Sequence, residues 1–196
     1  MRSIQPGLFL VLSLSIFPIQ AQSRSQAPAT IVFSIAGDDR WSSSINGVAV
    51  GWALTRPLRN ASISARLANG GGYAGGFAYL TRAIGPGTED LRAVAITPFE
   101  LPTGFNGRFV LFTGLNLSEG EYWLVLRTPR RGPFSYANWI TSTPLTVSIL
   151  DHARYLGTTS VSSQGMADYA PASAFGDIWV GHGYQMEVTG FPDRDP

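Results

Sequence analysis

Residues 60–67, Asn-Ala-Ser-Ile-Ser-Ala-Arg-Leu, alternate strictly between polar and apolar side chains. A period of two residues places the apolar side chains on one face of an extended chain and the polar ones on the other. The stretch therefore predicts a β-strand with one buried face. The same alternation recurs in residues 145–149 and 184–189, and in residues 48–54 large apolar side chains alternate with small ones.

Two further segments, residues 108–115 and 121–126, are apolar on both faces. Such segments are typical of strands covered on both sides, so we expect both to be central strands. The sequence Asn-Leu-Ser-Glu-Gly at residues 116–120 lies between them and predicts a hairpin connection. Weaker strand patterns occur in residues 30–35, 76–84, 91–97, 136–141 and 177–180.

Glycine and proline divide these segments, with 22 and 13 residues respectively. Both residue types favour turns, and many short strands at regular spacing are typical of sandwiches. The best helical candidate, residues 164–176, is interrupted by Pro171. The sequence thus predicts an all-β protein: a single β-sandwich, jelly-roll-like, with about nine or ten strands.

The first 21 residues resemble a secretory signal peptide. Arg2 precedes an apolar stretch, and Ala21 is a small residue at the expected cleavage point. The stretch is shorter than the ~20 apolar residues that a membrane span needs. We expect a signal peptide at 1–21, a flexible lead-in at 22–29, the β-sandwich at 30–190 and a polar tail at 191–196. The mature product would be secreted or associated with the cell surface, without a membrane span.

Several of these segments resemble one family of exported bacterial proteins. They are residues 50–55, 60–65, 115–117 with 120–126, and 184–190. They are similar to the ectodomains of PEP-CTERM proteins, which exosortase systems sort to the cell surface. The resemblance implies export and a sandwich fold, and it supplies no enzymatic activity. The family's C-terminal sorting tail does not follow residues 191–196, so we expect no anchor of that kind.

Charge and cysteine content exclude several classes of function. The 14 basic residues are all arginine, and the formal net charge is +1. A nearly neutral chain offers no long-range attraction to nucleic acid. Because cysteine is absent, thiolate metal sites and cysteine nucleophiles are excluded.

The sequence contains no convincing catalytic set. His152 and His182 are the only histidines, and no Gly-x-Ser-x-Gly motif supplies a nucleophile. Carboxylates that could serve a glycosidase show no pairing; they are Glu100, Glu119, Glu121, Asp168 and Asp177. We therefore expect no enzymatic activity and no cofactor. Asp38 and Asp39 are a candidate loop site for structural Ca²⁺, and an ordinary turn is the alternative.

The aromatic residues give the second hypothesis about function. Trp52 and Trp123 lie in strong strands and are expected in the core. The irregular segment 129–139 combines arginine with exposed-type aromatics, namely Arg130, Arg131, Tyr136 and Trp139. The first hypothesis is a secreted, non-catalytic structural or adhesive protein of the bacterial cell envelope or extracellular matrix. The alternative is a carbohydrate-binding module that uses this loop. The expected partners are surface polysaccharides or other envelope components.

Overall fold

The computed structural model describes residues 29–37, 41–45, 47–85, 93–127, 135–142, 146–149, 152–160, 178, 180 and 183–193. These residues contain strands and no helix. The strands are β1 (Thr30–Ala36), β2 (Trp41–Ser44), β3 (Val48–Leu54), β4 (Leu58–Asn69), β5 (Gly75–Thr81), β6 (Ala93–Glu100), β7 (Asn106–Leu117), β8 (Gly120–Arg127), β9 (Ala137–Ser142), β10 (Thr146–Ile149), β11 (Ala153–Ser160), β12 (Gly183–Tyr184) and β13 (Met186–Pro192).

The strands form two antiparallel sheets. In the larger sheet the order is β10-β1-β13-β4-β9-β12, with β7 paired to β4 and β2 paired to β9. In the smaller sheet the order is β11-β3-β8-β5-β6. No helix within the described residues is long and apolar enough to cross a membrane.

Eight of these strands define a jelly roll. Numbered one to eight along the chain, β1, β3, β4, β5, β6, β7, β8 and β13 lie in the orders 1-8-3-6 and 2-7-4-5. This is the double Greek-key arrangement of two four-stranded sheets. The predicted all-β, jelly-roll-like sandwich is therefore confirmed. The remaining strands extend it, so the strand count exceeds the expected number.

The core lies between the two sheets and is rich in stacked aromatic rings. Phe33 of the larger sheet stacks on Trp52 of the smaller sheet, with centroids 6.0 Å apart. Trp52 stacks in turn on Tyr122 at 5.9 Å, and all three side chains are buried. Burial of such large rings is a major source of stability in a sandwich. Trp52 and Trp123 are both buried, as the sequence predicts.

Two predictions about individual strands are wrong. Among the described strands, β7 pairs with β4 alone and so lies at an edge, although its sequence predicts a central position. Its apolar Val110 points to the outer face and is half exposed. The expected hairpin between β7 and β8 is also absent, because β7 belongs to the larger sheet and β8 to the smaller one. The short connection at residues 118–119 instead carries the chain from one sheet to the other.

The ends of the domain can be compared with the expected boundaries only in part. β1 begins at Thr30, and residues 1–28 lie outside the described residues. β13 continues two residues past 190, where Phe191 and Pro192 pair with β4. Of the expected strand 177–180, only 178 and 180 are described, and neither is in a strand.

Candidate functional site

The structure separates the aromatic residues of the segment 129–139. Trp139 lies in β9 with its side chain fully buried. Its indole N–H donates a hydrogen bond to the carbonyl oxygen of Gln185 at 2.7 Å, and its ring lies 5.0 Å from that of Tyr184. A sugar platform needs an open ring face, so the proposed ligand-binding role of Trp139 is corrected to a structural one. The pattern of residues 136–141 predicts a strand, and the side chain of Trp139 lies on the buried face of that strand.

Tyr136 is exposed and keeps the properties expected of a binding residue. It precedes β9 and is 48% exposed. Its ring lies against Gly72, where a methyl group would stand 3.1 Å from Cδ2 and Cε2. Gly70 donates a backbone hydrogen bond to the carbonyl oxygen of Tyr136 at 2.9 Å, and Tyr136 donates one to Tyr73 at 2.7 Å. One face of the ring is thus supported by backbone, and we call this feature the Tyr136 platform.

The other predicted site residues cannot be placed. Arg130 and Arg131, Asp38 and Asp39, and His182 all lie outside the described residues. Across the part of the chain that the structure describes, no three or more His, Cys, Asp and Glu side chains stand together as a metal site would require. His152 follows the unplaced residue 151 and accepts a backbone bond from Thr55 through its carbonyl oxygen.

A groove of about 200 Å³ crosses the outer face of the larger sheet. We call it the sheet-face groove. Ser34 of β1 pairs with Glu187 of β13, which pairs with Ser64 of β4, so the three side chains share this face. Two residues after Ser64 on β4, and on the same face, Arg66 pairs with Arg108 of β7. The polar lining comprises Ser34, Ser64, Arg66, Arg108, Gln185 and Glu187.

Arg108 and Glu187 form the best-defined contact in the groove. Nη1 of Arg108 donates to Oε1 of Glu187 at 2.5 Å, and Nη2 donates to Oε2 at 2.8 Å. The two residues lie on β7 and β13, so the pair bridges the intervening strand β4. The Arg108 side chain is 62% exposed and that of Glu187 is 11% exposed. The carboxylate is therefore covered, while the guanidinium faces solvent.

Gln185 fixes the end of the groove where three strands meet. It lies between β12 and β13 and is buried. Its backbone N–H donates to Ile140 and its carbonyl oxygen accepts from the backbone of Arg66. Its side-chain amide donates to the carbonyl oxygens of Gly37 at 3.2 Å and Thr141 at 3.3 Å. This buried amide ties the end of β1 to β9 and β4, so the groove wall is held by direct bonds.

The groove presents both charged and neutral hydrogen-bonding groups. Two arginines and one glutamate give the lining a formal charge of +1. Arg108 donates two of its five N–H groups to Glu187. The bidentate geometry fixes the orientation of the three remaining N–H groups. The serines and Gln185 add neutral hydrogen-bonding groups.

No match was found when the chain was compared with models of protein families, with curated proteins and with solved structures. A jelly roll by itself does not define a function, since one fold hosts many activities. The Tyr136 platform and the sheet-face groove are therefore the two candidate functional surfaces.

The sequence contains the groove residues, yet it does not reveal the groove. Ser64 and Arg66 belong to the polar face of residues 60–67, and Glu187 belongs to the polar face of 184–189. Their nearness depends on the pairing of β4 with β13, which are far apart in the chain. A usable signal is the presence of opposite charges on the polar faces of two strands.

Proposed function

We propose that the protein is a secreted, non-catalytic β-sandwich of the bacterial cell envelope or extracellular matrix with a structural or adhesive role. Its contact surface would be the sheet-face groove, and its partner an acidic surface polysaccharide. The observation that carries this proposal is the bidentate Arg108–Glu187 pair, which holds a guanidinium in fixed orientation on an open sheet face.

The charge and shape of the groove favour this class of ligand. The lining carries one positive charge in excess, which attracts a carboxylate on a sugar ring. Serine hydroxyls can exchange hydrogen bonds with sugar hydroxyls, and the exposed guanidinium of Arg108 can donate to them. At about 200 Å³ the groove is smaller than the usual site for a drug-sized ligand and suits one unit of a longer chain.

The location of the protein is part of the same proposal. The charged start, apolar centre and small residue at 1–21 support export. The similarity of residues 50–55, 60–65, 115–117, 120–126 and 184–190 to PEP-CTERM ectodomains supports a role at the cell surface. An adhesive role agrees with both, because a protein outside the cell is in contact with surface polysaccharide.

A glycan array with acidic and neutral saccharides tests this function. We expect the wild type to bind acidic glycans and Arg108→Ala to lose at least ~90% of the signal, because the fixed guanidinium is removed. The matched control is Arg59→Ala, which breaks an exposed ion pair with Asp193 elsewhere on the domain. Equal signals for both variants, or wild-type binding to neutral glycans alone, would contradict the role of the groove.

A second candidate, carbohydrate binding at the Tyr136 platform, is favoured by one observation. The Tyr136 ring is half exposed and rests on Gly72 without an intervening side chain. Such a ring can stack on the apolar face of a neutral sugar. On the same array, Tyr136→Ala would abolish binding to neutral glycans while Arg108→Ala leaves it intact, if this surface is the one used.

A further inference from the structure

Among the strands that the structure describes, β6 forms one edge of the smaller sheet and β11 forms the other. Within the described residues β6 pairs with β5 and with no other strand. Two large apolar side chains on it are exposed, Val94 at 47% and Ile96 at 56%. An open edge strand presents backbone groups that can pair with another strand.

Two observations fix which backbone groups point outward. Leu101 donates a backbone hydrogen bond to Ala74 at 2.8 Å, which makes their pair a hydrogen-bonded one. Bonded and non-bonded pairs alternate along an antiparallel ladder, so Pro98 and Ile96 occupy non-bonded pairs with β5. Pro98 fits this assignment because it has no N–H to offer. The N–H and C=O of Ile96 therefore point away from β5.

The usual protections of an edge strand are few here. Natural edges are often blocked by charged side chains or by proline. The residues 93–99 carry no charge, and Pro98 blocks only its own position. Phe77 and Tyr79 on β5 pair with Pro98 and Ile96, so the apolar row continues inward from the edge on the same face.

We infer that β6 pairs antiparallel with β6 of a second copy of this chain, centred on Ile96. In that register the two Ile96 residues exchange N–H to C=O hydrogen bonds as a bonded pair. Val94 of each copy lies opposite Pro98 of the other. Pro98 has no N–H group that would need an acceptor, and the N–H of each Ile96 is bonded to the other copy. The register therefore leaves no buried donor unpaired at the centre.

The register is self-complementary in its side chains as well. Val94, Ile96 and Pro98 of both copies lie on one face and form a continuous apolar strip. A register centred on Pro98 would lose both central hydrogen bonds because neither proline has an N–H. The register shift between Leu80 and Thr81 leaves Val94 as an extra residue of β6, so the ladder is distorted at that end of the strand. Ile96 is therefore the favoured centre.

The inference is independent of the proposed function. β6 belongs to the smaller sheet and the sheet-face groove to the larger one, so pairing leaves the groove open. A symmetric pair would carry two grooves and hold a polysaccharide at two points. Strand pairing alone buries less area than a standard interface. We therefore expect a dimer that dissociates on dilution.

Sedimentation velocity on the purified chain, from about 5 to about 500 µM, tests the inference. We expect the dimer fraction to rise with concentration. Ile96→Lys should raise the dissociation constant at least ~10-fold by placing two like charges at the centre of the pairing. The matched control is Val110→Lys on β7, an exposed position of the other sheet, which should dimerise like the wild type.

Ile96→Pro gives a second, independent test. The substituted nitrogen faces the free edge, so the ladder with β5 keeps its hydrogen bonds while the intermolecular pair loses its central donors. We expect a folded monomer by circular dichroism and sedimentation. A wild type that is monomeric over the whole range would overturn the inference. So would a dimer that survives both substitutions of Ile96.

Discussion

Arg108 and Glu187 make a bidentate ion pair across β4, with N–O distances of 2.5 and 2.8 Å. The pair joins an edge strand to a central strand and leaves a guanidinium at the surface of the groove. Its two members differ in environment, since the carboxylate is covered and the guanidinium is largely exposed. That difference predicts unequal consequences of removing either one.

Removing Arg108 should destabilise the fold more than removing Glu187. Arg108→Ala leaves a covered carboxylate without its partner, at a cost of about 1–3 kcal/mol. Glu187→Gln leaves an arginine that water can solvate, at a cost of about 0–1 kcal/mol. Urea unfolding measures both free energies. Equal losses would show that the carboxylate is better solvated than its burial indicates.

Trp139 should be essential for stability and not for ligand binding. Trp139→Phe removes the indole N–H that bonds to Gln185 and leaves a gap beside Tyr184. We expect a loss of about 1–3 kcal/mol in the free energy of unfolding. The glycan-array profile of the folded variant should match the wild type. A changed profile with unchanged stability would contradict the structural role.

The tryptophans show where alternation of side chains along a strand predicts burial and where it does not. For Trp52 the surrounding strand pattern identifies a core position, and the structure agrees. Trp123 is also buried, in a separate apolar cluster with Ala49 and Val125. Trp139 lies just after an irregular segment, where sequence alone gives no face of the strand to which its ring belongs. Its burial depends on the pairing of β9 with β4, a contact between distant parts of the chain.

The fold class follows from local patterns, and the groove does not. Residues 60–67 place Ser64 and Arg66 on the polar face, and that face is the outer one in the structure. β7 departs from expectation because Val110 makes it look covered on both faces while it lies at an edge. The jelly roll brings β7 and β13 to either side of β4, and only this topology places Arg108 beside Glu187.

Gly51 should not tolerate even a methyl group. A Cβ at this position would stand 2.6 Å from Cζ3 of Trp123, a buried ring that would have to move. We expect Gly51→Ala to cost about 1–3 kcal/mol, as overpacked sites do. Gly107→Ala is the matched control, since its nearest neighbour is Phe105 at 3.8 Å. Thermal unfolding of both variants compares the two, and equal melting temperatures would refute the close packing.

Tyr155 should make the fold sensitive to alkali. Burial raises the pKa of its hydroxyl above the ordinary value of 10.0, and a hydrogen bond with Thr158 opposes that shift. Above pH 10 the unfolded chain loses this proton while the folded chain keeps it. The free energy of unfolding therefore falls as the pH rises through and beyond 10.

Replacing Tyr155 by phenylalanine tests that assignment. At neutral pH the variant loses the 2.7 Å hydrogen bond between Tyr155 and Thr158, at a cost of about 1 kcal/mol. Between pH 9 and 11 its urea-unfolding free energy should fall less steeply than that of the wild type. Parallel curves would show that Tyr155 ionises alike in both states.

The central claim is that the sheet-face groove binds an acidic sugar through Arg108. Isothermal titration calorimetry with a uronic-acid oligosaccharide and its carboxyl-reduced form tests it, because the two ligands differ only in carrying a carboxylate or a primary alcohol in its place. We expect reduction of the carboxyl to weaken binding at least ~10-fold. Arg108→Ala should weaken binding of the acidic form by the same factor. Arg59→Ala should leave the affinity unchanged. Equal affinity for the two ligands, or unchanged binding by Arg108→Ala, would contradict it.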